Sequence, residues 1–308
     1  MDLAEGRKII QLQDAVDEYL VYIEAVRNYS SHTVISYRTD LEYLVSELGS
    51  ETELNSITLK DLNFCVANLN VLKREASSVN RFISSVRSLF AYCKKFNYIS
   101  NNVSLQLKTL KAPKKLPRYM TETEIDTLCN EPVKNEILWA SRDKAIFEMF
   151  YSSGCRVSEL ASLCLDDFEN GFSSALILGK GKKTRRVYFE EDAQKALKEY
   201  LVERKSRFPD STVKNVFLNQ KGTALTTTGF WYVVTRYSGV EGTGKQVSPH
   251  AFRHTFATAM LNNGADIRVV QELLGHANIN TTQRYTHVTK ERLKDIYNQA
   301  FPHSGKKD

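Results

Sequence analysis

Apolar residues recur at helical spacing through the first third of the chain. Leu12, Val16, Tyr19, Leu20 and Ile23 mark one helix. Ser30 or Ser31 can cap a second, running through Ile35, Leu41, Leu44 and Leu48 and stopping at Gly49. Thr58 opens a third through Leu62 and Val66, and a long fourth spans about 76–96 on Val79, Ile83, Val86, Leu89, Phe90 and Tyr92. Arg81 and Arg87 fall off that last stripe and are expected to face outward. Four or five helices in about 110 residues predict a small bundle.

The run Lys111-Ala112-Pro113-Lys114-Lys115-Leu116-Pro117-Arg118 then interrupts the pattern. Its two prolines stop a helix and hold the segment extended, as a linker requires. Thr121 followed by Glu124 is a capping box that restarts helical structure. Beyond it the pattern is mixed. A helix is expected over about 137–151, broken by Gly154, with a short one from Arg156 to Leu163. Ala175–Leu178 and Arg186–Phe189 alternate as a hairpin around Gly179-Lys180-Gly181. Helices follow at about 190–207, 226–237, 249–262, 266–274, 278–285 and 289–300. The organisation predicted is mainly α with a small β component: a helical domain over 1–112, a linker over 113–120 and a mixed α/β domain over 121–308.

Composition narrows the class. A chain of 308 residues, 42% apolar and 25% charged, suits two globular domains and excludes a disordered protein. It has no apolar run fit to cross a bilayer, and its first residues lack a signal peptide's apolar core, so no membrane partner is expected. Five scattered cysteines without CxxC spacing point to a reducing cytoplasm and away from disulfides or structural zinc. The net charge of +6 conceals a sharp asymmetry. Residues 1–72 carry five basic and twelve acidic side chains, whereas residues 73–118 carry eleven basic and one acidic. So one-sided a stretch is the footprint of a polyanion, and Arg81, Arg87, Lys114 and Lys115 are its candidate DNA contacts.

Five places could carry chemistry. Arg156 follows a glycine turn at a helix start, where a guanidinium and the helix N-terminus can face an anion, although alone it also reads as a surface arginine. Lys180 lies between two glycines at a hairpin tip that can approach a ligand closely. His250, Arg253 and His254 share one helical face, with Phe252 and Phe256 pointing to the core. Zinc there lacks the glutamate of HExxH, because position 251 is alanine. His276 closes Leu273-Leu274-Gly275-His276 after a helix end, and Tyr285 follows nine residues on. Two arginines, a lysine, two histidines and a tyrosine, without clustered carboxylates, suit metal-free phosphodiester transfer. Guanidinium groups can hold the charge that builds on the non-bridging oxygens. A lysine can protonate the leaving 5′ oxygen. A phenol with an ordinary pKa of about 10 can attack once a histidine takes its proton.

In these motifs the chain resembles the tyrosine recombinase (phage integrase) family, most closely its Xer group. Arg156, Lys180 in Gly-Lys-Gly, His250 and Arg253 in HxxRH, His276 in LLGH, and Tyr285 appear in family order and spacing, none substituted. The resemblance implies a SAM-like core-binding domain and a catalytic domain that clamp duplex DNA in a C shape, with no cofactor. It implies Tyr285 as nucleophile forming a 3′-phosphotyrosine, His250 assisting proton transfer and Lys180 as general acid. Arg156, Arg253 and His276 are then the stabilisers of the transition state. It further implies a homo- or heterotetramer on an inverted-repeat site, a Holliday junction, and resolution of chromosome dimers with a second Xer recombinase and an FtsK-type translocase as candidate partners. An integrase of a mobile element and a type IB topoisomerase are the competing readings. The apolar stripe Leu293, Ile296, Tyr297, Ala300 and Phe301 can fold back on its own domain or, as the resemblance implies and as is preferred here, make 289–301 an interaction helix docking on a neighbouring protomer.

Overall fold

In the computed structural model, which describes residues 10–111, 119–137, 139–179, 184–238, 247–275 and 290–301, the chain divides into two units, Met1–Lys115 and Leu116–Asp308. In the first, α1 (Leu12–Val21) buries Leu12, Val16, Tyr19 and Leu20 and continues into a π turn over Tyr22–Val26. Ser30 caps α2 (Ser31–Leu48) by accepting from the Thr33 amide, and Gly49, at φ +94°, ends it. Val34 takes the core position on α2 while Ile35 stands 59% exposed, one residue off the expected stripe. Thr58 and Asp61 form a reciprocal capping box on α3 (Leu59–Val71). The long α4 (Ala76–Lys95) buries Val79, Phe82, Ile83, Val86, Leu89 and Phe90.

Arg81 and Arg87 do not simply face outward. Arg81 donates from Nε and Nη2 to the two oxygens of Asp40, each at 3.0 Å, and Ser85 donates to the same carboxylate at 2.8 Å. Asp40 is 6% exposed, so α2 and α4 are joined through a buried anion that needs its cation. Arg87 reaches the carbonyls of Ser104 and Leu107 and fastens the chain that leaves the bundle. Both side chains have internal work because the helix that carries the basic charge is also the central packing element.

In the second unit, the Thr121–Glu124 capping box opens α5 (Glu122–Lys134). Helix α6 (Ala140–Ser153) starts later than its pattern suggested and is buried nearly all round, as befits a central helix. It packs on α5, on α8 (Glu191–Arg207) and on α10 (Pro249–Asn262). The short α7 (Val157–Ser162) follows Gly154. The expected hairpin is present as β2 (Ser174–Leu178) and β3 (Thr184–Tyr188), with Ile177 opposite Arg185 and Ala175 opposite Val187. A two-residue strand, β1 (Phe168–Glu169), adds antiparallel to β2 and was not foreseen, being too short to show alternation. Helices α9 (Thr227–Tyr237), α11 (Ile267–Leu274) and α12 (Lys290–Ala300) complete the unit. The helix expected at 278–285 lies outside the described residues. No helix among the described residues is long and apolar enough to cross a membrane.

In this single chain the terminal helix takes the fold-back placement. Its stripe is covered by its own domain. Tyr297, Ala300 and Phe301 are buried, Tyr297 donates to the Ser152 carbonyl at 2.9 Å, and Asn263 donates to the Ala300 carbonyl at 2.9 Å. Tyr188, Phe256 and Tyr151 supply ring contacts to Tyr297 and Phe301. The aromatic surface that α6, α10 and β3 expose is the cover the sequence pattern did not reveal.

Two consequences can be measured. Arg81→Ala should cost about 1 to 3 kcal/mol in urea unfolding, because Asp40 stays buried without its cation; half of the arginine is solvated, which keeps the cost below that of a fully enclosed pair. A cleft beside α5, α6 and the start of α8 gathers Asp126, Glu148, Glu190 and Asp192. Burial, then neighbouring Asp192, pushes Glu148 up to about 7, and burial, then Glu148 and Asp192, pushes Glu190 up to about 8. The folded state therefore keeps protons that the unfolded chain releases, so stability falls as pH rises from about 5 towards 8. Glu190→Gln should raise the thermal midpoint at pH 8.5 and leave it nearly unchanged at pH 5.

Candidate active site

The last carbonyls of a helix lack intrahelical donors and form its negative end. At the end of α11 three consecutive carbonyls are each taken by a different arginine. Arg185 Nη1 donates to Leu273 O, Arg253 Nη2 to Leu274 O at 2.6 Å, and Arg156 Nη2 to Gly275 O at 3.5 Å. Two of these are predicted site residues, brought together from sequence positions far apart. Arg253 also donates from Nη1 to Gly154 O at 2.8 Å, on the turn that leads to Arg156.

Each arginine arrives for a local reason. Gly154 ends α6 in the left-handed region at φ +58°, where a Cβ would sit 2.6 Å from the Phe256 ring. Only glycine lets that turn rest on α10. Pro249 stands in the first turn of α10, and Phe252 and Phe256 are buried, Phe252 stacking on Phe147 with centroids 5.8 Å apart. Arg253 is thereby turned to the α11 end. His250, one turn earlier, is exposed, its ring 6.1 Å from that of Trp231. Gly275 caps α11 at φ +64°, and a Cβ there would lie 2.7 Å from Arg185 Cδ.

Glu159 balances the cations. It is 3% exposed; Oε1 accepts from Arg156 Nη1 at 2.7 Å, and Oε2 accepts from the Arg156 amide at 2.7 Å and Arg185 Nη2 at 2.8 Å. Burial alone would raise its pKa, but Arg185 and the amide and guanidinium of Arg156 overcome it and hold the carboxyl below its ordinary value. Burial, then Arg156 and Arg185, brings Arg253 down to about 10, which leaves it charged at neutral pH. The anion facing the start of α7 is thus the protein's own carboxylate. Arg156 stands at the start of α7, and its amide is taken by that carboxylate.

Lys180, His276 and Tyr285 lie outside the described residues, as do Lys114 and Lys115. Among the described residues no three His, Cys, Asp or Glu side chains group as metal ligands. Glu159 and Arg185 were not singled out from the sequence. Glu159 could have been, standing three residues after Arg156 on one helical face. Arg185 carried no such local signal, since Arg185 and Arg186 stand side by side on β3.

Comparison with known proteins assigns the architecture. The Phage integrase family model matches residues 118–292, and the Phage integrase N-terminal SAM-like domain matches residues 16–96. The chain belongs to the phage integrase family and is an enzyme, a tyrosine-type site-specific recombinase. Tyrosine recombinase XerC of Treponema denticola is 40% identical over 306 residues, 95% of this chain and 100% of the relative. Tyrosine recombinase XerD of Listeria monocytogenes is 36% identical over 296 residues, 94% and 99% of the two chains. A lambda integrase tetramer bound to a Holliday junction shares the fold with a TM-score of 0.69 at 18% identity, over 93% of this chain and 83% of that one.

Glu159→Gln should lower stability at pH 7 by about 2 to 4 kcal/mol in urea unfolding, since two arginines lose one shared anion. Because the folded carboxyl titrates below its unfolded value, the gap between wild type and variant should narrow as the pH drops through that lower value.

Proposed function

We propose that this chain exchanges DNA strands at an inverted-repeat site through Tyr285, and that it acts as an Xer-type resolvase of chromosome dimers at cell division. The observation that carries the chemical half is the convergence of Arg156 and Arg253 on the end of α11. Two fixed guanidinium groups present charge and donors to a phosphate whose non-bridging oxygens gain charge as a fifth oxygen approaches. They need no reorganisation at the moment of reaction, because carbonyls and Glu159 already orient them.

In this reading the Tyr285 oxygen attacks phosphorus, its proton passing to His250, and the 5′ oxygen leaves with a proton from Lys180. His276 donates to the same phosphate. The 3′-phosphotyrosine conserves the bond energy, so a 5′-hydroxyl from the partner strand reverses the step and leaves a Holliday junction. Four protomers, identical or paired with a second Xer recombinase, hold the two sites, and an FtsK-type translocase is a candidate activator. Lys114 and Lys115 supply sequence-independent phosphate contacts; Arg81 and Arg87 add to the field while serving the bundle. Identity of 40% and 36% with proteins named XerC and XerD, over nearly their whole lengths, supports the Xer role over that of a mobile-element integrase. The protein named in the lambda integrase structure is a tetramer on a Holliday junction, which supports the same assembly here.

A bound duplex can be selected from a pool of randomised inverted repeats and offered nicked to trap the cleaved strand. Wild type should become covalently attached through Tyr285, and Tyr285→Phe should bind the duplex equally while forming no adduct. An adduct on another side chain, or one retained by the variant, would contradict the assignment.

A further inference from the structure

We propose that Arg185 is a positioning residue of the recombination reaction, the strut that fixes Arg156 and Arg253 on the end of α11. The proposal rests on the reading of those two arginines given above. Strand alternation puts Arg185 on the same face as Val187, opposite Ile177, and both of those side chains are buried. A guanidinium in such an inward slot is costly unless its donors are met. Its side chain is 11% exposed; its two terminal nitrogens serve Leu273 O and Glu159 Oε2, while the buried Nε is left without an acceptor among the described residues.

Those two acceptors lie on α7, which Arg156 opens, and on α11, whose end receives both arginines. Glu159 gives its other oxygen to Arg156, so a shift of Arg185 moves the carboxylate that orients that guanidinium. Leu273 is the residue before Leu274, whose carbonyl takes Arg253. Gly275 is the space for the arginine stem, since a Cβ would fall 2.7 Å from Cδ and 2.9 Å from Nε. The Arg185 side chain is 11% exposed against 29% for Arg156, which sets it behind the face a phosphate would reach. It acts through its neighbours. Sequence adds one more link: β3 follows the Gly-Lys-Gly tip by a few residues, and Gly275 directly precedes His276. Lysine cannot replace it, because a single ammonium on a flexible stem does not hold two acceptors in a planar fork.

The test uses the full chain and the nicked duplex selected on wild type, with Arg185→Lys and Arg185→Met. If the strut sets geometry, both variants bind the duplex within about threefold of wild type while single-turnover cleavage falls about 100-fold, the scale of an ångström-sized misplacement. Arg185→Lys retains the charge and the fold, so it remains informative if Arg185→Met is unstable. A double variant of Arg185→Lys with Glu159→Gln should be no slower than the slower single variant, because both break one connected unit. Cleavage within threefold of wild type, loss of binding in parallel with cleavage, or multiplicative effects in the double variant would each overturn the assignment. Absence of an adduct from wild type itself would overturn the underlying active-site reading as well, which separates the two failures.

Discussion

Three guanidinium groups cannot be held close together without compensating negative charge, and the way this protein supplies it governs the layout of its catalytic domain. The free carbonyls at the end of α11 and one buried carboxylate, Glu159, provide that charge. Neither requires a metal ion, and both are fixed before a phosphate arrives. The lowered pKa of Arg253 reflects the burial and like-charge crowding this arrangement tolerates. A negative helix end is a weak attractor by itself, worth about 0.3 to 2 kcal/mol per cation. Three acceptors in sequence, plus an ion-paired carboxylate, turn it into a rigid platform.

The platform depends on packing at a distance. Helix α6 is buried nearly all round because α5, α8 and α10 surround it, and its end at Gly154 must meet Phe256 with no side chain between. Phe147, Phe150 and Phe252 then fix the roll of α10 and hence the direction of Arg253. The same α10 surface receives α12 through Phe256, Tyr297 and Phe301. Core, site and terminal helix share aromatic residues, so a change in how α12 is seated is felt within a few side chains of the arginines.

Much of this was legible in the amino-acid order. Caps at Ser30, Thr58 and Thr121 and stops at Gly49 and Gly154 come from local hydrogen bonding and local sterics, which short windows contain. Arg156 and Arg253 were legible for another reason: they sit in motifs whose residue types are chemically unusual together. What escaped depends on partners remote in sequence. Arg81 and Arg87 look outward on a helical wheel, yet Asp40 and the carbonyls near residue 107 bring them inward. Arg185 escaped because nothing in Thr-Arg-Arg-Val-Tyr says which arginine meets a helix end some 90 positions later; Leu273 and Glu159 decide that. The stripe on α12 was visible, but its cover was an aromatic surface assembled from three separated segments.

The most direct test of prepaid geometry is nitrogen NMR of the arginine side chains in DNA-free protein. Guanidinium groups locked on α11 and Glu159 should show slow rotation and resolved terminal nitrogens for Arg156, Arg185 and Arg253. Freely rotating groups with averaged signals at those three positions, in the absence of DNA, would contradict the account.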